Sequence, residues 1–156
     1  GYPAVAEMDA DLSHSAADLP RLMAALAAGA DLALGSRNIA GGGVLGWGPL
    51  RHLLSKGGSL YARLLLGVGV ADMTTGFKVY NRRALIAIDC ATLRSNGYRF
   101  QIETTYRALL AGLSVVEVPI VFVDRRVGQS KMNGRIFAEA VLEVPRLRLM
   151  RLLGSR

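Results

Sequence analysis

The chain has 156 residues, about half of them apolar, and a formal net charge of +7. This length suffices for one domain with a buried core, and the longest apolar runs fall far short of the roughly 20 residues that cross a bilayer. Cys90 is the single cysteine, which excludes an internal disulfide and fits a reducing compartment; it is predicted to lie in the core. The positive charge indicates an anionic partner. A phosphorylated ligand and a membrane surface fit better than nucleic acid, because the aromatic residues are scattered.

Strands and helices alternate along the chain, which predicts an α/β layered fold. In chain order the predicted elements are a buried strand over 2–9, a helix from 18 that stops at 29, a short strand over 31–34, a Gly-rich loop over 38–48, a long helix from 49, a turn into a strand over 72–80, helices over 82–90 and 100–111, a β-rich run over 115–123, a charged loop over 124–134 and a helical tail over 135–153. The long helix carries apolar residues at helical spacing, namely Leu50, Leu53, Leu54, Leu60, Tyr61, Leu64 and Leu65.

Two carboxylates, Asp9 and Asp11, follow the first strand at positions i and i+2. They are costly to hold together unless a cation lies between them, and oxygen ligands of this kind suit Mg²⁺ or Mn²⁺. The carboxyl end of a strand is also where open α/β sheets bind ligands. The alternative is a solvated turn in which an aspartate caps the next helix.

Cations and a hydroxyl surround the Gly-rich loop. Arg51 and Ser55 are i, i+4 on the long helix and share a face, and Arg37 ends the preceding strand. A guanidinium beside a hydroxyl can cradle a phosphate. A solvated helix edge is the alternative interpretation for the helical pair.

Two later segments are further candidates. The loop over 124–131 places Arg125 and Lys131 around a glycine, as in a lid that closes over phosphates, or else as in an exposed basic turn. Gln101 and Glu103 begin a helix, where a carboxylate can simply favour the helix dipole.

These segments together resemble one family, in order over residues 1–134. The matching segments are Met8-Asp9-Ala10-Asp11-Leu12-Ser13-His14, Gly35-Ser36-Arg37, Gly42-Gly43 with Trp47, Arg51 and Ser55, Asp72 with Thr74 through Tyr80, Gly97 through Glu103, and Glu117 through Lys131. The pattern is similar to that of the polyprenol-phosphate (dolichol-phosphate) mannose synthases, which are inverting family 2 glycosyltransferases with a GT-A (Rossmann-like) fold.

The resemblance implies a reaction and a role for each candidate residue. The donor is expected to be GDP-mannose and the acceptor a polyprenyl or dolichyl monophosphate. Asp9 and Asp11 are expected to hold Mg²⁺ or Mn²⁺ on the donor diphosphate. The acceptor phosphate is assigned to Arg37, Arg51 and Ser55. Donor phosphates are assigned to Arg125 and Lys131, with Gln101 and Glu103 as possible site residues.

The resemblance also implies an organisation. Family members carry nucleoside-binding strands before the Asp-x-Asp segment, so residues 1–134 are expected to be the C-terminal portion of a catalytic domain that is inactive without them. Residues 135–156 are expected to form a basic amphipathic helix that either lies on anionic lipid or closes the domain. The expected location is the cytoplasmic face of a membrane, with a membrane-anchoring partner protein as a further possibility. The rival interpretations are a synthase for glucose or another hexose and a non-catalytic anionic-lipid-binding module.

Overall fold

The structure is a computed structural model that describes residues 1–93, 97–124 and 144–149, with the side chain of residue 98 excepted. Along the chain these residues form β1 (Ala4–Glu7), α1 (Leu19–Ala27), β2 (Leu32–Ser36), β3 (Gly43–Leu45), α2 (Pro49–Leu66), β4 (Lys78–Asn81), α3 (Arg82–Ile88), α4 (Tyr98–Leu110), β5 (Val115–Pro119), β6 (Val121–Val123) and a helical segment, α5, over 144–149. Short 3-10 turns occupy Ala16–Asp18 and Cys90–Thr92. The predicted alternation of strands and helices is confirmed.

The central sheet is mixed, with the strand order β1-β4-β2-β5. β2 pairs in parallel with β5, while β4 runs antiparallel to both β1 and β2. Alternate residues of a strand point to opposite faces, and β2 accordingly feeds two core clusters. Leu32 and Leu34 pack with residues of α2, α3 and α4, whereas Ala33 packs with Leu22 of α1. Helices therefore cover both faces of β2.

The predicted buried strand over 2–9 is wrong in its extent and its burial. β1 covers only Ala4–Glu7, and both Val5 and Ala6, which point to opposite faces, are exposed. Among the described strands β1 pairs with β4 alone, so it lies at the edge of the sheet. An apolar run at a sheet edge has the composition of a core strand without its burial.

The long helix α2 begins at Pro49 as predicted and ends where Gly67 adopts a left-handed conformation, with φ at 68°. It packs on the core through Ser59, Ala62 and Leu66. Six members of the apolar stripe are instead exposed, namely Leu50, Leu53, Leu54, Leu60, Leu64 and Leu65. Of the predicted stripe, only the partly buried Tyr61 packs against the described core, and most of the stripe lies on an exposed face of the helix.

Two local predictions are also wrong. Cys90 is exposed, because Asp89 takes a left-handed conformation after α3 and turns the chain away from the core. The Gly-rich loop over 38–48 contains a strand, β3, which pairs in parallel with β6. Neither partner strand exceeds three residues, so local periodicity does not reveal the pair.

Candidate functional site

One edge of the central sheet gathers the candidate residues. Because β4 is antiparallel to both of its neighbours, β1, β2 and β5 run in the same direction and end at the same edge. Asp9 follows β1, Arg37 follows β2, and the small β3–β6 sheet lies beyond β2 and β5. The carboxyl edge of an open α/β sheet is the usual place for a ligand site.

A tight turn fixes Asp11 at this edge. Its Oδ1 accepts a hydrogen bond from the Ser13 backbone N–H, at 3.1 Å, and another from the Ser13 hydroxyl. Leu12, between them, has a φ of 65°, which is an uncommon conformation for a leucine. The two bonds from Ser13 stabilise this turn, so the orientation of the Asp11 carboxylate is set before any ligand arrives. Ser13 is buried and acts through Asp11.

Asp9 presents an open carboxylate, with 59% of its side chain exposed. Its Oδ2 lies 4.0 Å from His14 Nδ1, too far for a hydrogen bond. Burial lowers the pKa of His14 by more than the charge of Asp9 raises it, so the imidazole is neutral at pH 7 and the contact is no ion pair. Asp9 thus carries a negative charge that no described cation compensates at bonding distance.

The carboxylate pair fits a divalent cation that keeps free coordination positions. Within the described part of the chain, no third His, Cys, Asp or Glu joins Asp9 and Asp11. Mg²⁺ typically binds through one or two carboxylates together with water and substrate phosphates, so this sparse set of hard oxygen ligands has the chemistry that the sequence predicts. The metal assignment stays a prediction.

Arg37 is held by a buried ion pair that the sequence analysis missed. Its Nε and Nη2 each lie 2.7 Å from an oxygen of Asp72, and the two side chains are 6% and 0% exposed. Burial alone would raise the pKa of Asp72, but the Arg37 charge and its hydrogen bonds outweigh this effect and lower it. A phosphate at Arg37 would have to share the guanidinium with Asp72, so its acceptor role stays a prediction.

Arg51 also has a carboxylate partner, but a more accessible one. Its Nη1 lies 2.8 Å from Asp124 Oδ1, with side-chain exposures of 22% and 32%. The Arg51 Cζ stacks on the ring of Trp47, 4.3 Å from the centroid, and the Arg37 Cζ lies 5.7 Å from the same centroid. We call Arg37, Trp47 and Arg51, with Asp72 and Asp124, the arginine platform.

Strand β6 joins the platform to the turn over residues 9–13, which carries Asp9 and Asp11 and which we call the acidic turn. The Val123 N–H donates to the Ser13 carbonyl at 3.0 Å. The Phe122 ring lies between those of His14 and Trp47, at 5.2 and 5.3 Å. Asp124, which follows β6, is the partner of Arg51. One short strand therefore sets the position of both halves of the site.

Two glycines allow the loop over 38–48 to take this path. A Cβ at Gly42 would lie 2.5 Å from the Ser36 carbonyl, so a side chain there would push the loop off the end of β2. Gly46 has a φ of 87°, which favours glycine, and it lies against Asp124. The loop therefore carries Trp47 back over Arg37.

The structure separates Gln101 from Glu103. Gln101 Nε2 donates to Glu7 Oε1 at 2.5 Å, and Asp9 and Gln101 Nε2 approach each other across Gly76. Glu103 forms an ion pair with Arg107 one helical turn away, at 2.6 Å. Positions i and i+2 point about 200° apart on a helix, so only Gln101 lies at the acidic turn. Glu103 is structural.

The geometry agrees with a comparison against known protein families. The family described as Glycosyl transferase family 2 matches residues 2–89, more than half of the chain. The chain belongs to glycosyl transferase family 2. Relatives with which it shares high identity include the polyprenol monophosphomannose synthase of Mycolicibacterium smegmatis, 50% identical over 92% of this chain and 54% of that protein. The undecaprenyl-phosphate mannosyltransferase of Micrococcus luteus is 46% identical over 94% of this chain and 60% of that protein. The chain thus spans little more than half the length of these relatives.

Two solved structures share the fold of this chain. Crystal structures of glucosyl-3-phosphoglycerate synthase from Mycobacterium tuberculosis superpose with TM-scores of 0.63, in complex with phosphoglyceric acid, and 0.56, in complex with uridine diphosphate. Each covers 95% of this chain and 50% of the solved chain, at 17% and 16% identity. At such identity the likeness shows the fold alone. The predicted GT-A fold is confirmed.

Some predictions for this family 2 domain fall outside the described residues. Arg125 and Lys131 do, as does the predicted boundary at residue 134. Of the tail, α5 packs Val144 and Leu147 into the core, and Arg148 donates to the Leu66 carbonyl at 3.0 Å. Over 144–149 the tail therefore packs on the core, while the predicted helix over 135–156 as a whole stays a prediction. No helix of the described ranges is long and apolar enough to span a membrane.

Sequence reasoning missed several residues that shape the site. The partners of the two arginines, Asp72 and Asp124, lie 35 and 73 residues away in sequence. Trp47, His14 and Phe122 bear no charge pattern that would mark them. All five residues stand in the segments that resemble the mannose synthases, and this resemblance was the one available signal.

Proposed function

We propose that the intact protein transfers mannose from GDP-mannose to a polyprenyl or dolichyl monophosphate, giving polyprenyl-phosphate-mannose. The observation that carries this proposal is the placement of an open carboxylate pair and an arginine platform side by side at the carboxyl edge of a family 2 fold. The names of the two relatives, a polyprenol monophosphomannose synthase and an undecaprenyl-phosphate mannosyltransferase, support the acceptor and the sugar. GDP as the nucleotide rests on the family resemblance.

The acceptor chemistry requires positioning more than it requires a base. A phosphate monoester has its second pKa near 6, so it is mostly dianionic at pH 7 and nucleophilic as it stands. One of its oxygens attacks the anomeric carbon of mannose as the bond to the diphosphate breaks, with inversion. Arg51 and Ser55, one turn apart on α2, would hold that phosphate in line.

Arg51 is better suited than Arg37 to receive the phosphate. Partly exposed ion pairs such as Arg51–Asp124 contribute only about 0–1 kcal/mol, so a dianion can replace or share Asp124 at little cost. Breaking a buried pair such as Arg37–Asp72 costs about 3–5 kcal/mol. Arg37 would therefore keep Asp72 and serve as the fixed base of the platform.

The donor would bind at the acidic turn. Asp9 and Asp11 would hold Mg²⁺ or Mn²⁺, which when bound would neutralise charge on the leaving diphosphate. Asp11 is already oriented by Ser13, and the side chain of Asp9 is exposed at this edge of the sheet. Arg125 and Lys131 are proposed to contact the donor phosphates from the charged loop.

The exposed face of α2 supports the proposal that the enzyme acts at a membrane surface. Leu50, Leu53 and Leu54 are exposed on the same turns that carry Arg51 and Ser55, and Lys56 lies beside them. A lipid phosphate held by Arg51 would place its polyprenyl chain near these leucines. We propose a peripheral location on the cytoplasmic face, with an anchoring partner protein as part of the same arrangement.

Replacing Arg51 or Ser55 in the intact gene product tests the proposal. In a transfer assay with radiolabelled GDP-mannose, Arg51→Ala should raise the KM for polyprenyl phosphate by about tenfold or more, and Ser55→Ala by less, because a charged hydrogen bond is stronger than a neutral one. The KM for GDP-mannose should stay the same. Arg63→Ala is the matched control, since it removes an exposed cation from the last turn of the same helix.

Other outcomes would contradict specific parts of this proposal. An equal effect of Arg51→Ala and Arg63→Ala would show that α2 contributes only diffuse charge. Vesicle binding by an intact protein that transfers no sugar would favour the anionic-lipid-binding module. Faster transfer from UDP-glucose would assign the enzyme to another hexose.

A further inference from the structure

The ring of Trp47 lies beneath both guanidinium groups of the platform. The indole centroid is 4.3 Å from Arg51 Cζ and 5.7 Å from Arg37 Cζ. Trp47 stands two residues before α2, so its backbone is fixed by the start of the helix that carries Arg51. It is also the only tryptophan of the 156 residues.

Neighbouring rings hold the indole in place. The Phe122 ring lies 5.3 Å from Trp47 and the His52 ring 5.7 Å, both in edge-to-face arrangements. Such arrangements are favourable because the positive edge of one ring meets the negative face of another. The indole therefore rests on β6 on one side and on the first turn of α2 on the other.

Stacking on an aromatic ring fixes the position of an arginine side chain without using its hydrogen-bond donors. A cation attracted to the face of an indole keeps its N–H groups in the plane of the guanidinium, pointing outward. For Arg51, Nη1 already reaches Asp124, while Nε is buried and has no hydrogen-bond partner among the described residues. Lysine or an unstacked arginine would not present this fixed planar edge.

We propose that Trp47 is a positioning residue for the acceptor phosphate: it holds the Arg51 guanidinium by its face, so that its N–H edge meets the phosphate oxygens in a fixed orientation. The proposal rests on the proposed function, in which Arg51 binds the acceptor. Trp47 itself touches neither the phosphate nor the sugar. Asp124 retains the guanidinium until the acceptor replaces or shares it.

A double-mutant cycle in the intact gene product tests this role. The variants are Trp47→Leu, Trp47→Phe, Arg51→Ala and the two double variants with Arg51→Ala. Trp47→Leu should raise the KM for polyprenyl phosphate by about tenfold, and Trp47→Phe by about threefold, since phenyl rings attract cations less than indole does. In the Arg51→Ala background both substitutions at position 47 should have no further effect on this KM.

The alternative outcomes separate the two proposals. If Arg51→Ala leaves the acceptor KM unchanged, Arg51 does not bind the acceptor and the role of Trp47 is overturned with it. If Arg51→Ala raises the acceptor KM but the Trp47 variants do not, only the role of Trp47 is overturned. The same holds if the effects of the Trp47 variants on this KM multiply with that of Arg51→Ala. If Trp47 has a structural role alone, its replacement should lower the melting temperature and kcat equally with and without Arg51→Ala, and that result would also overturn the positioning role. Should Trp47→Leu fail to fold, the Trp47→Phe pair decides by the same criteria.

Discussion

The arginine platform and the acidic turn hold charge in opposite ways. In the platform each arginine faces a carboxylate, with Asp72 fully buried and Asp124 partly exposed. In the acidic turn Asp9 is exposed, and the nearest basic side chain among the described residues is the neutral imidazole of His14. A buried charge that has a counter-ion is compatible with a stable fold. A charge at a sheet edge that has no counter-ion lowers the stability of the protein unless a ligand binds there. We therefore expect Arg37–Asp72 to serve mainly the fold, and we propose that Asp9 and Asp11 serve mainly to bind a ligand.

The largest effect expected from this contrast is on catalysis. Asp11→Asn in the intact gene product should lower mannosyl transfer by about a thousandfold, in the range seen when an enzyme loses one essential charge-stabilising group. The free energy of unfolding should change by less than about 1 kcal/mol, because removing one of two neighbouring carboxylates also relieves repulsion. Transfer assays and urea unfolding measure the two quantities, and Mn²⁺-dependent nucleotide binding should disappear.

Asp18→Asn is the control for that experiment. Asp18 is also acidic, but it lies at the start of α1 and pairs with Arg21 on the surface. It should leave transfer unchanged. Near-normal turnover of Asp11→Asn without metal would remove the acidic turn from the donor site and leave the contrast with the platform unsupported.

The second largest expected effect is a loss of stability when a residue of the arginine platform is replaced. Asp72→Asn leaves the Arg37 charge buried without its counter-ion, which should lower the free energy of unfolding by about 3–5 kcal/mol. Asp124→Asn is the matched control within the platform, and it should cost at most about 1 kcal/mol because its pair is partly exposed. Urea unfolding of both variants measures the difference. Equal costs would mean that burial does not distinguish the two pairs.

Much of this fold followed from the sequence because its signals are local. Pro49 marks the start of α2, and Gly67 ends it in the left-handed conformation that glycine favours. The Asp-x-Asp segment after an apolar run placed two carboxylates at a strand end, and in the structure that end lies at the carboxyl edge of the sheet. Arg37 and Arg51 were also placed near one another correctly, since each borders the Gly-rich loop.

The remaining features depend on distant parts of the chain. The spacing of the leucines on α2 predicts a helix with an apolar face but does not determine which face packs on the core. In the structure the buried residues of α2 are Ser59, Ala62 and Leu66. Asp72 and Asp124 became partners of the arginines only because β4 and β6 bring them to the same edge. Glu103 looked like Gln101 in sequence and differs from it by its angle around α4.

The smallest expected effect concerns Lys78, a buried lysine that sharpens the contrast between compensated and uncompensated charge. It lies opposite Glu7 in the β1–β4 register, and its Nζ donates to the Gln101 carbonyl at 2.8 Å and the Thr104 hydroxyl at 3.0 Å. These partners are neutral oxygens. Burial lowers the pKa of Lys78 to about 7, more than the nearby charges of Glu7 and Asp72 raise it.

The sign of the pH dependence follows from this pKa. Between about pH 7 and pH 10 the unfolded chain carries a protonated Lys78, whereas the folded chain carries a neutral one, so the unfolded state binds more protons. The stability of the wild type should therefore rise with pH relative to Lys78→Met, by roughly 1 kcal/mol per pH unit between pH 7 and pH 9. Taking the difference between wild type and variant removes the contributions of titrating groups that do not interact with Lys78. Parallel curves would show that Lys78 stays charged in the fold with Glu7 as its counter-ion, and the core beneath the acidic turn would then hold compensated charge, as the platform does.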